Sequence, residues 1–197
     1  MRNIFSIIAG ILFLIGFIPY IRAILKKTGK KTQPSKASWI VWTALDAVTL
    51  AGMLAKHSVN GQIIGAFAGS CLTVGLVLKY GEPGWTLLDK LSLVGGALGI
   101  VLWKIYGDAN FGIVVSMAVV TLGSFPTFVS AWKDPANEDK LAWTIFMASC
   151  VCAVIAIPAW TLADALQPIV YIAIESVMIF ILYLGPRLRA GIREGSI

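Results

Sequence analysis

Long apolar segments follow one another along almost the whole chain, and short polar connections separate them. Each segment is about 20 residues long, which is the length that an α-helix needs to cross the hydrocarbon core of a bilayer. Helices are the expected form, because a lipid-exposed strand would leave its backbone groups unpaired. The pattern predicts seven transmembrane helices, at residues 4–25, 38–55, 62–78, 85–103, 111–132, 141–160 and 166–184.

The composition agrees with a membrane environment. Hydrophobic residues make up 58% of the chain and charged residues 13%, and the mean hydropathy is +0.84. A soluble domain usually carries about 25% charged residues. We therefore expect an all-α membrane protein with the lipid bilayer as its solvent and no separate soluble domain.

The basic residues indicate the orientation of the predicted helices. With the N-terminus outside, the outer side receives only Arg2, Lys56 and Lys104. The inner side receives all the others, which are Arg22, Lys26, Lys27, Lys30, Lys31, Lys36, Lys79, Lys90, Lys133, Lys140, Arg187, Arg189 and Arg193. Positive residues concentrate on the cytoplasmic side of membrane proteins, so we expect an outer N-terminus and a cytoplasmic C-terminus. The net charge of +6 reflects this topology and does not indicate a nucleic-acid partner.

An internal repeat relates the two ends of the chain. The segment "GFIPYIRAILKKTGKKTQPSKASWIVWTALDAV" aligns with "GSFPTFVSAWKDPANEDKLAWTIFMASCVCAV" when the first loop is three residues longer. The aligned pairs are Pro19 with Pro126, Trp39 with Trp143, Asp46 with Cys150, Gln62 with Gln167 and Ser70 with Glu175. One unmatched helix lies between the repeats, so both cross the membrane in the same direction. The prediction is a 3+1+3 layout: parallel three-helix repeats at 1–81 and 109–186, a linker helix at 82–108 and a tail at 187–197.

This layout resembles the SWEET and PQ-loop superfamily of transporters. The basic loop into "SW" and the proline late in the first helix of each repeat are shared features, and "KTQPSKASWIVWTALDAVTLAG" is similar to the PQ-loop stretch of cystinosin-type exporters. The family's signature is a Pro-Gln dipeptide. At that position this chain departs from the signature, with Pro19–Tyr20 in one repeat and Pro126–Thr127 in the other. The resemblance implies transport by alternating access, with Asp46 binding a proton that travels with the solute.

Two carboxylates lie in the middle of predicted helices. An ionised acid at the bilayer centre costs about 2.5–3.5 kcal/mol on insertion scales, so Asp46 and Glu175 should face protein or water. Asp46 shares a helix face with Trp39, Trp42, Thr49 and Met53, and Tyr171 lies near Glu175. We interpret both acids as proton-coupling residues in a site between the repeats. The alternative is that each acid only hydrogen-bonds a neighbouring helix and stabilises packing.

Further residues are candidates for solute binding or for movement. The solute-binding candidates are Trp39, Trp42, Thr49, Ser70, Trp143, Cys150 and Tyr171. The tryptophans either wall a cavity or form the aromatic belt at the membrane interface. Pro19 and Pro126 each remove one helical hydrogen bond and serve either as hinges or as static kinks. Cys71, Cys150 and Cys152 are most simply read as small packing residues.

The sequence favours a transporter over an enzyme. It contains no paired histidine and acid, no phosphate-binding glycine loop and no nucleophile elbow, so no catalytic residue, cofactor or metal is indicated. Its predicted partners are a small polar solute, protons and lipid. Two alternatives stay open: an uncoupled SWEET-like sugar facilitator, and a receptor or sensor that binds a ligand without moving it. A homo-oligomer is compatible with so short a chain. The tail "RLRAGIREGSI" lacks a tyrosine-based sorting signal, which favours a prokaryotic cytoplasmic membrane.

Overall fold

The computed structural model describes residues 1–26 and 32–188, and this part of the chain is helical without strands. The α-helices are α1 Arg2–Ile24, α2 Lys36–Ala55, α3 Gly61–Tyr80, α4 Leu87–Tyr106, α5 Ala109–Lys133, α6 Lys140–Ile155 and α7 Leu162–Ile179. A 3₁₀ turn at Pro135–Asn137 precedes α6, and a π-helical turn at Phe180–Leu184 follows α7. The predicted inner-side residues Lys27, Lys30, Lys31, Arg189 and Arg193, with nearly all of the predicted tail, lie outside the described residues.

Polar residues in the connections fix where the helices begin. The first residue before each of α2 to α7 has a side-chain oxygen that accepts a hydrogen bond from a backbone N–H in the first turn. These capping residues are Ser35, Asn60, Thr86, Asp108, Asp139 and Thr161. Such caps satisfy donors that have no partner inside the helix. The boundaries therefore follow from the short polar segments between the apolar runs.

The predicted helix bounds differ most from the structure at α4, α6 and α7, and α7 begins at Leu162, before the predicted start at residue 166. Helix α6 ends at Ile155 and does not reach Trp160, because Pro158 disfavours helical backbone at the residue before it. Helix α4 starts at Leu87, directly after its cap, and runs to Tyr106.

Within residues 1–26 and 32–188, five helices are long and apolar enough to cross a membrane: α1, α2, α3, α5 and α7 with its extension to Leu188. Helix α6 is apolar, but its 16 residues span about 24 Å. Helix α4 carries Asp89, Lys90 and Lys104. The outer surface exposes many large apolar side chains, on α1 and α4 above all, and apolar patches of that extent are rare on soluble monomers. These features are compatible with an integral, multi-pass membrane protein.

The helices pack in an order that differs from their order along the chain. Helix α3 packs between α1 and α2, and α7 packs between α5 and α6. Helix α1 also packs on α6, α2 packs on α5, and α4 lies against α5 and α2. Glycines allow the α1–α3 contact, since a Cβ on Gly65 would lie 2.6 Å from the carbonyl oxygen of Gly10.

Hydrogen bonds between connections define two ends of the bundle. At one end, the Gln33 N–H donates to the Asn137 carbonyl at 3.0 Å and the Glu82 N–H donates to the Pro34 carbonyl at 3.0 Å. We call this the Glu138 end. At the other, the Asn60 side chain donates to Gln167 Oε1 at 2.9 Å; we call this the Gln62 end. Consecutive helices therefore run in opposite directions.

Candidate solute-binding cavity

A cavity lies at the centre of the bundle, and every helix except α4 contributes to its wall. The cavity and its opening together hold about 530 Å³ of space between atoms. Its wall is formed by Phe13, Phe17, Trp39, Trp42, Asp46, Ala66, Ser70, Val120, Trp143, Phe146, Tyr171, Ile174 and Glu175. A largely apolar wall with a few polar groups is typical of sites for small molecules.

Asp46 joins three helices through its carboxylate. Its side chain is 4% exposed. The Tyr171 hydroxyl on α7 donates a hydrogen bond to Asp46 Oδ1, and the Ser70 hydroxyl on α3 lies 3.5 Å from Asp46 Oδ2. Ser70 Oγ is also 3.1 Å from the Phe67 carbonyl, so its single proton serves one acceptor at a time. A change in the charge of Asp46 therefore acts on α2, α3 and α7 together.

Glu175 reaches the same cavity from α7 without a protein partner for one of its oxygens. Its side chain is 5% exposed, and Glu175 Oε2 is buried with no hydrogen-bond partner. Most buried polar atoms in proteins are hydrogen-bonded, because leaving one unpaired costs free energy. Glu175 is therefore the cavity group with the most to gain from a bound ligand.

Aromatic rings form most of the remaining wall. The ring centroids of Trp39 and Trp42 are 5.4 Å apart, and those of Trp42 and Trp143 are 6.2 Å apart. Phe13 and Phe146 lie at 4.7 Å. These rings come from α1, α2 and α6, so both ends of the chain contribute. The wall presents ring faces and edges to the cavity.

A polar cluster lies at the Glu138 end of the bundle, next to Trp39 and Trp143. Glu138 Oε2 accepts hydrogen bonds from the Tyr20 hydroxyl at 2.8 Å and from Trp143 Nε1 at 2.9 Å. Trp39 Nε1 donates to the Tyr20 hydroxyl at 3.1 Å. The cluster thus connects α1 and α2 to α6 and the connection before it. Because Trp39 and Trp143 also line the cavity, the cluster and the cavity share a wall.

Glu138 lies in the connection between the 3₁₀ turn and α6, and its environment favours the protonated acid. Burial raises the pKa of Glu138 to about 8. The nearby negative charges of Glu82 and Asp139 act in the same direction, and the two donated hydrogen bonds oppose the shift. Glu138 Oε1 is buried without a partner. The acid therefore changes charge near neutral pH.

A layer of amides closes the Gln62 end. Gln167 Nε2 donates to Gln62 Oε1 at 3.0 Å, and Gln62 Nε2 lies 3.0 Å from Cys150 Sγ. On the far side of this layer is a second, more polar cavity that Asn60 and Ala153 help to line. Along α3, Gln62 stands between Asn60, which lines the second cavity, and Ala66, which lines the central one. Along α7, Gln167 stands directly before Pro168, which also lines the second cavity.

Most of the predicted site residues meet in the central cavity. Trp39, Trp42, Asp46, Ser70, Trp143, Tyr171 and Glu175 all line it. Thr49 and Cys150 do not: Thr49 is fully buried with Oγ1 unpaired, and Cys150 is buried against Gln62. Pro19 lies in α1 beside Tyr20, and Pro126 is buried in α5, so their role as hinges stays a prediction. Within residues 1–26 and 32–188, no cluster of ligating side chains could hold a metal ion.

Sequence reasoning missed several residues of this region. Phe13, Phe17 and Tyr20 follow a four- and three-residue spacing that places them on one face of α1, and this spacing could have identified them. Glu138 gives no such signal, because an acid in a polar loop usually faces water. Its burial arises from tertiary contacts alone.

Comparisons with known proteins do not extend this description. No protein-family model matches the chain, and no curated protein or solved structure is significantly similar to it. The functional argument therefore rests on the geometry of the cavity.

Proposed function

We propose that the protein is a membrane transporter that moves a small polar solute through the central cavity by alternating access, with protons exchanged at Asp46. The observation that carries this proposal is the cavity itself, in which two buried carboxylates from different helices face a common space. Buried acids inside a membrane bundle are costly and typically serve transport or proton relay.

The repeat alignment supports a site between two equivalent halves. When the alignment is continued in the same register, both members of five aligned pairs line the cavity. These pairs are Phe13 with Val120, Trp39 with Trp143, Trp42 with Phe146, Ala66 with Tyr171, and Ser70 with Glu175. The aligned residues Gln62 and Gln167 hydrogen-bond to each other, as residues beside a two-fold axis would. We therefore propose parallel repeats at 1–81 and 109–186 with α4 as the linker.

The distribution of charge supports seven crossings with the Glu138 end in the cytoplasm. The described basic residues at that end are Arg22, Lys26, Lys36, Lys79, Lys90, Lys133, Lys140 and Arg187. Seven helices that alternate in direction place the N-terminus outside, in agreement with the positive-inside rule. In this arrangement α4 and α6 also cross the bilayer.

The mechanism follows from the two closed ends. The Glu138 cluster and the glutamine layer act as the inner and outer gates, and only one opens at a time. Asp46 binds or releases its proton when the cavity faces one side. Because its carboxylate contacts α3 and α7, the change of charge alters how the two halves pack, and the cavity is then exposed to the other side.

The test is proton movement in proteoliposomes that contain a pH-sensitive dye, with amino acids, nucleosides, sugars and amines as solutes. We expect the wild type to couple solute flux to proton flux and Asp46→Asn to lose at least about tenfold of the coupled rate. The control is Asp108→Asn, since Asp108 is an exposed cap of α5 and asparagine caps equally well.

The outcomes separate the three functional classes. Solute-dependent proton movement that is lost in Asp46→Asn supports coupled transport. Solute flux without proton movement contradicts coupling and indicates a facilitator. No flux of any tested solute by folded protein contradicts transport and favours a receptor or sensor.

A further inference from the structure

The described residues in the wall of the central cavity that can carry charge near neutral pH are both acids. Asp46 and Glu175 line it, and no lysine, arginine or histidine of the described chain is among its lining residues. The two acids differ in their surroundings. Asp46 has Tyr171 and Ser70 as hydrogen-bonding neighbours, whereas Glu175 Oε2 has no partner. A ligand group that can donate hydrogen bonds and balance a negative charge would satisfy Glu175.

The aromatic wall adds a second preference of the same kind. Ring faces carry negative electrostatic potential and attract cations, most strongly where water is excluded. Six aromatic rings besides Tyr171 line the cavity, from Phe13, Phe17, Trp39, Trp42, Trp143 and Phe146. They also offer apolar surface to the body of a ligand. A cation with an apolar body would use both properties, and a neutral sugar would use only one.

A carboxylate on the ligand would find no basic partner among the described residues of the wall. An amino-acid zwitterion would bring its carboxylate into a largely apolar cavity whose described lining holds two acids and no basic side chain. Burying an unpaired charge beside like charges is strongly unfavourable. The same cavity therefore discriminates between an amine and the amino acid that carries the same side chain.

Resting on the transport function proposed above, we propose that the solute is an organic monocation: an ammonium group that binds Glu175, on an aromatic or alkyl body, without a carboxylate. The ammonium group takes the place of a proton on Glu175, and that proton leaves to the side to which the cavity is open. Solute and proton then move in opposite directions, and the cavity never holds an uncompensated carboxylate at Glu175.

The test uses three probes with the same phenyl ring: phenethylamine as the cation, 2-phenylethanol as the neutral analogue and phenylalanine as the zwitterion. Binding to the purified full chain in detergent is followed by tryptophan fluorescence, since three tryptophans line the cavity. We expect phenethylamine to bind at least about tenfold more tightly than either analogue. If phenethylamine displaces a proton from Glu175, its affinity should increase by up to about tenfold for each unit by which the pH is raised.

Variants assign the effect to Glu175. Glu175→Gln should weaken phenethylamine binding at least about tenfold and abolish its pH dependence, while Glu175→Asp should retain the pH dependence. Asp164→Asn on the same helix is the control, since Asp164 lies in the first turn of α7, away from the cavity lining. The selectivity among the three probes is measured on the wild type. It therefore tests the preference for a cation even if Glu175→Gln does not fold.

Equal binding of the alcohol or of the amino acid would overturn this inference, as would normal amine binding by folded Glu175→Gln. Other outcomes test the transport function independently of the cation site. Amine binding without uptake into proteoliposomes would support the cation site and contradict a transporter. Coupled uptake of a sugar or an amino acid, without amine binding, would support the transporter and overturn the cation site.

Discussion

Several titratable side chains in this protein lie where the surroundings disfavour charge, and Glu138 is one that lies in a connection between helices. Its side chain is 4% exposed. Both of its hydrogen bonds are made by one oxygen, Oε2, to donors on α1 and α6. An acid held in this way stabilises the closed end most strongly while it keeps its proton, because ionisation would place a charge in a site that water cannot reach.

The raised pKa of Glu138 predicts how stability varies with pH. At a pH between the ordinary pKa of a glutamate, about 4.5, and the pKa of Glu138 in the folded protein, about 8, the folded protein holds a proton that the unfolded protein has lost. The free energy of unfolding should therefore fall as pH rises through this window. We expect Glu138→Gln to flatten this dependence, measured as melting temperature in detergent from pH 5 to pH 8. Asp108→Asn is the control, and an unchanged slope in Glu138→Gln would contradict the prediction.

A site residue could be predicted from the sequence when its residue type is unusual among its neighbours in the chain. Asp46 and Glu175 stand out because an acid within an apolar run needs a reason, and both reach the cavity. Thr49 was inferred from helical spacing, but one turn beyond Asp46 the face of α2 has left the cavity and packs against other helices. Glu138 could not be found, since only its tertiary contacts distinguish it from a solvated loop acid.

At the scale of elements, the contact between α1 and α3 depends on glycine. A Cβ on Gly61 would lie 2.1 Å from the carbonyl oxygen of Ser6, and one on Gly65 would lie 2.6 Å from that of Gly10. Both neighbours are backbone atoms, which cannot rotate away. Small residues at such contacts allow close helix packing where no hydrophobic effect drives association. The close approach brings Phe13 and Phe17 toward the cavity.

Gly65→Ala should therefore destabilise the protein, by about 1–3 kcal/mol as in other overpacked cores. Gly75→Ala on the same helix is the matched control, because nothing lies within 4 Å of the position of its Cβ. We expect Gly75→Ala to be neutral or stabilising, since alanine favours helix more than glycine does. Thermal unfolding of the two variants side by side measures the difference. Equal melting temperatures would show that the helices separate without cost.

At the scale of the whole molecule, the central cavity lies between two unlike closures. The Glu138 cluster combines an acid with aromatic donors, whereas the opposite layer consists of neutral amides. Cys150 contacts the amide layer through Gln62 and is fully buried. Its thiol is therefore well placed to report whether that end opens.

Weakening the amide layer should expose Cys150. We expect Gln62→Ala to increase the rate at which a membrane-impermeant maleimide labels Cys150 severalfold, in a background with Cys71→Ala and Cys152→Ala. The matched control is Gln33→Ala, because Gln33 is exposed at the opposite end. Unchanged labelling in Gln62→Ala would show that the layer does not limit access from this side.

The architecture as a whole was only partly predictable. Apolar runs predicted the approximate positions of the α-helices in the described residues, because backbone hydrogen bonding in an apolar environment leaves few alternatives. The early end of α6 depends on Pro158, whose effect the hydropathy pattern does not register. The order of packing, with α3 between α1 and α2, depends on contacts far apart in the chain. The sequence therefore predicts elements better than their arrangement.

Asp46 has hydrogen-bonding neighbours and Glu175 Oε2 has none. In the proposed transport cycle this difference has an electrical consequence. If only Glu175 exchanges its proton for a monovalent cation, each cycle is electroneutral and the membrane voltage has no influence on how far the solute is concentrated. If Asp46 also releases its proton, two positive charges move against one. Each cycle then transfers one elementary charge, worth about 2.3 kcal/mol at 100 mV, and voltage alone would shift the solute gradient by more than tenfold. The hydrogen bond between Tyr171 and Asp46 would thus help to determine whether the proposed transport generates a current.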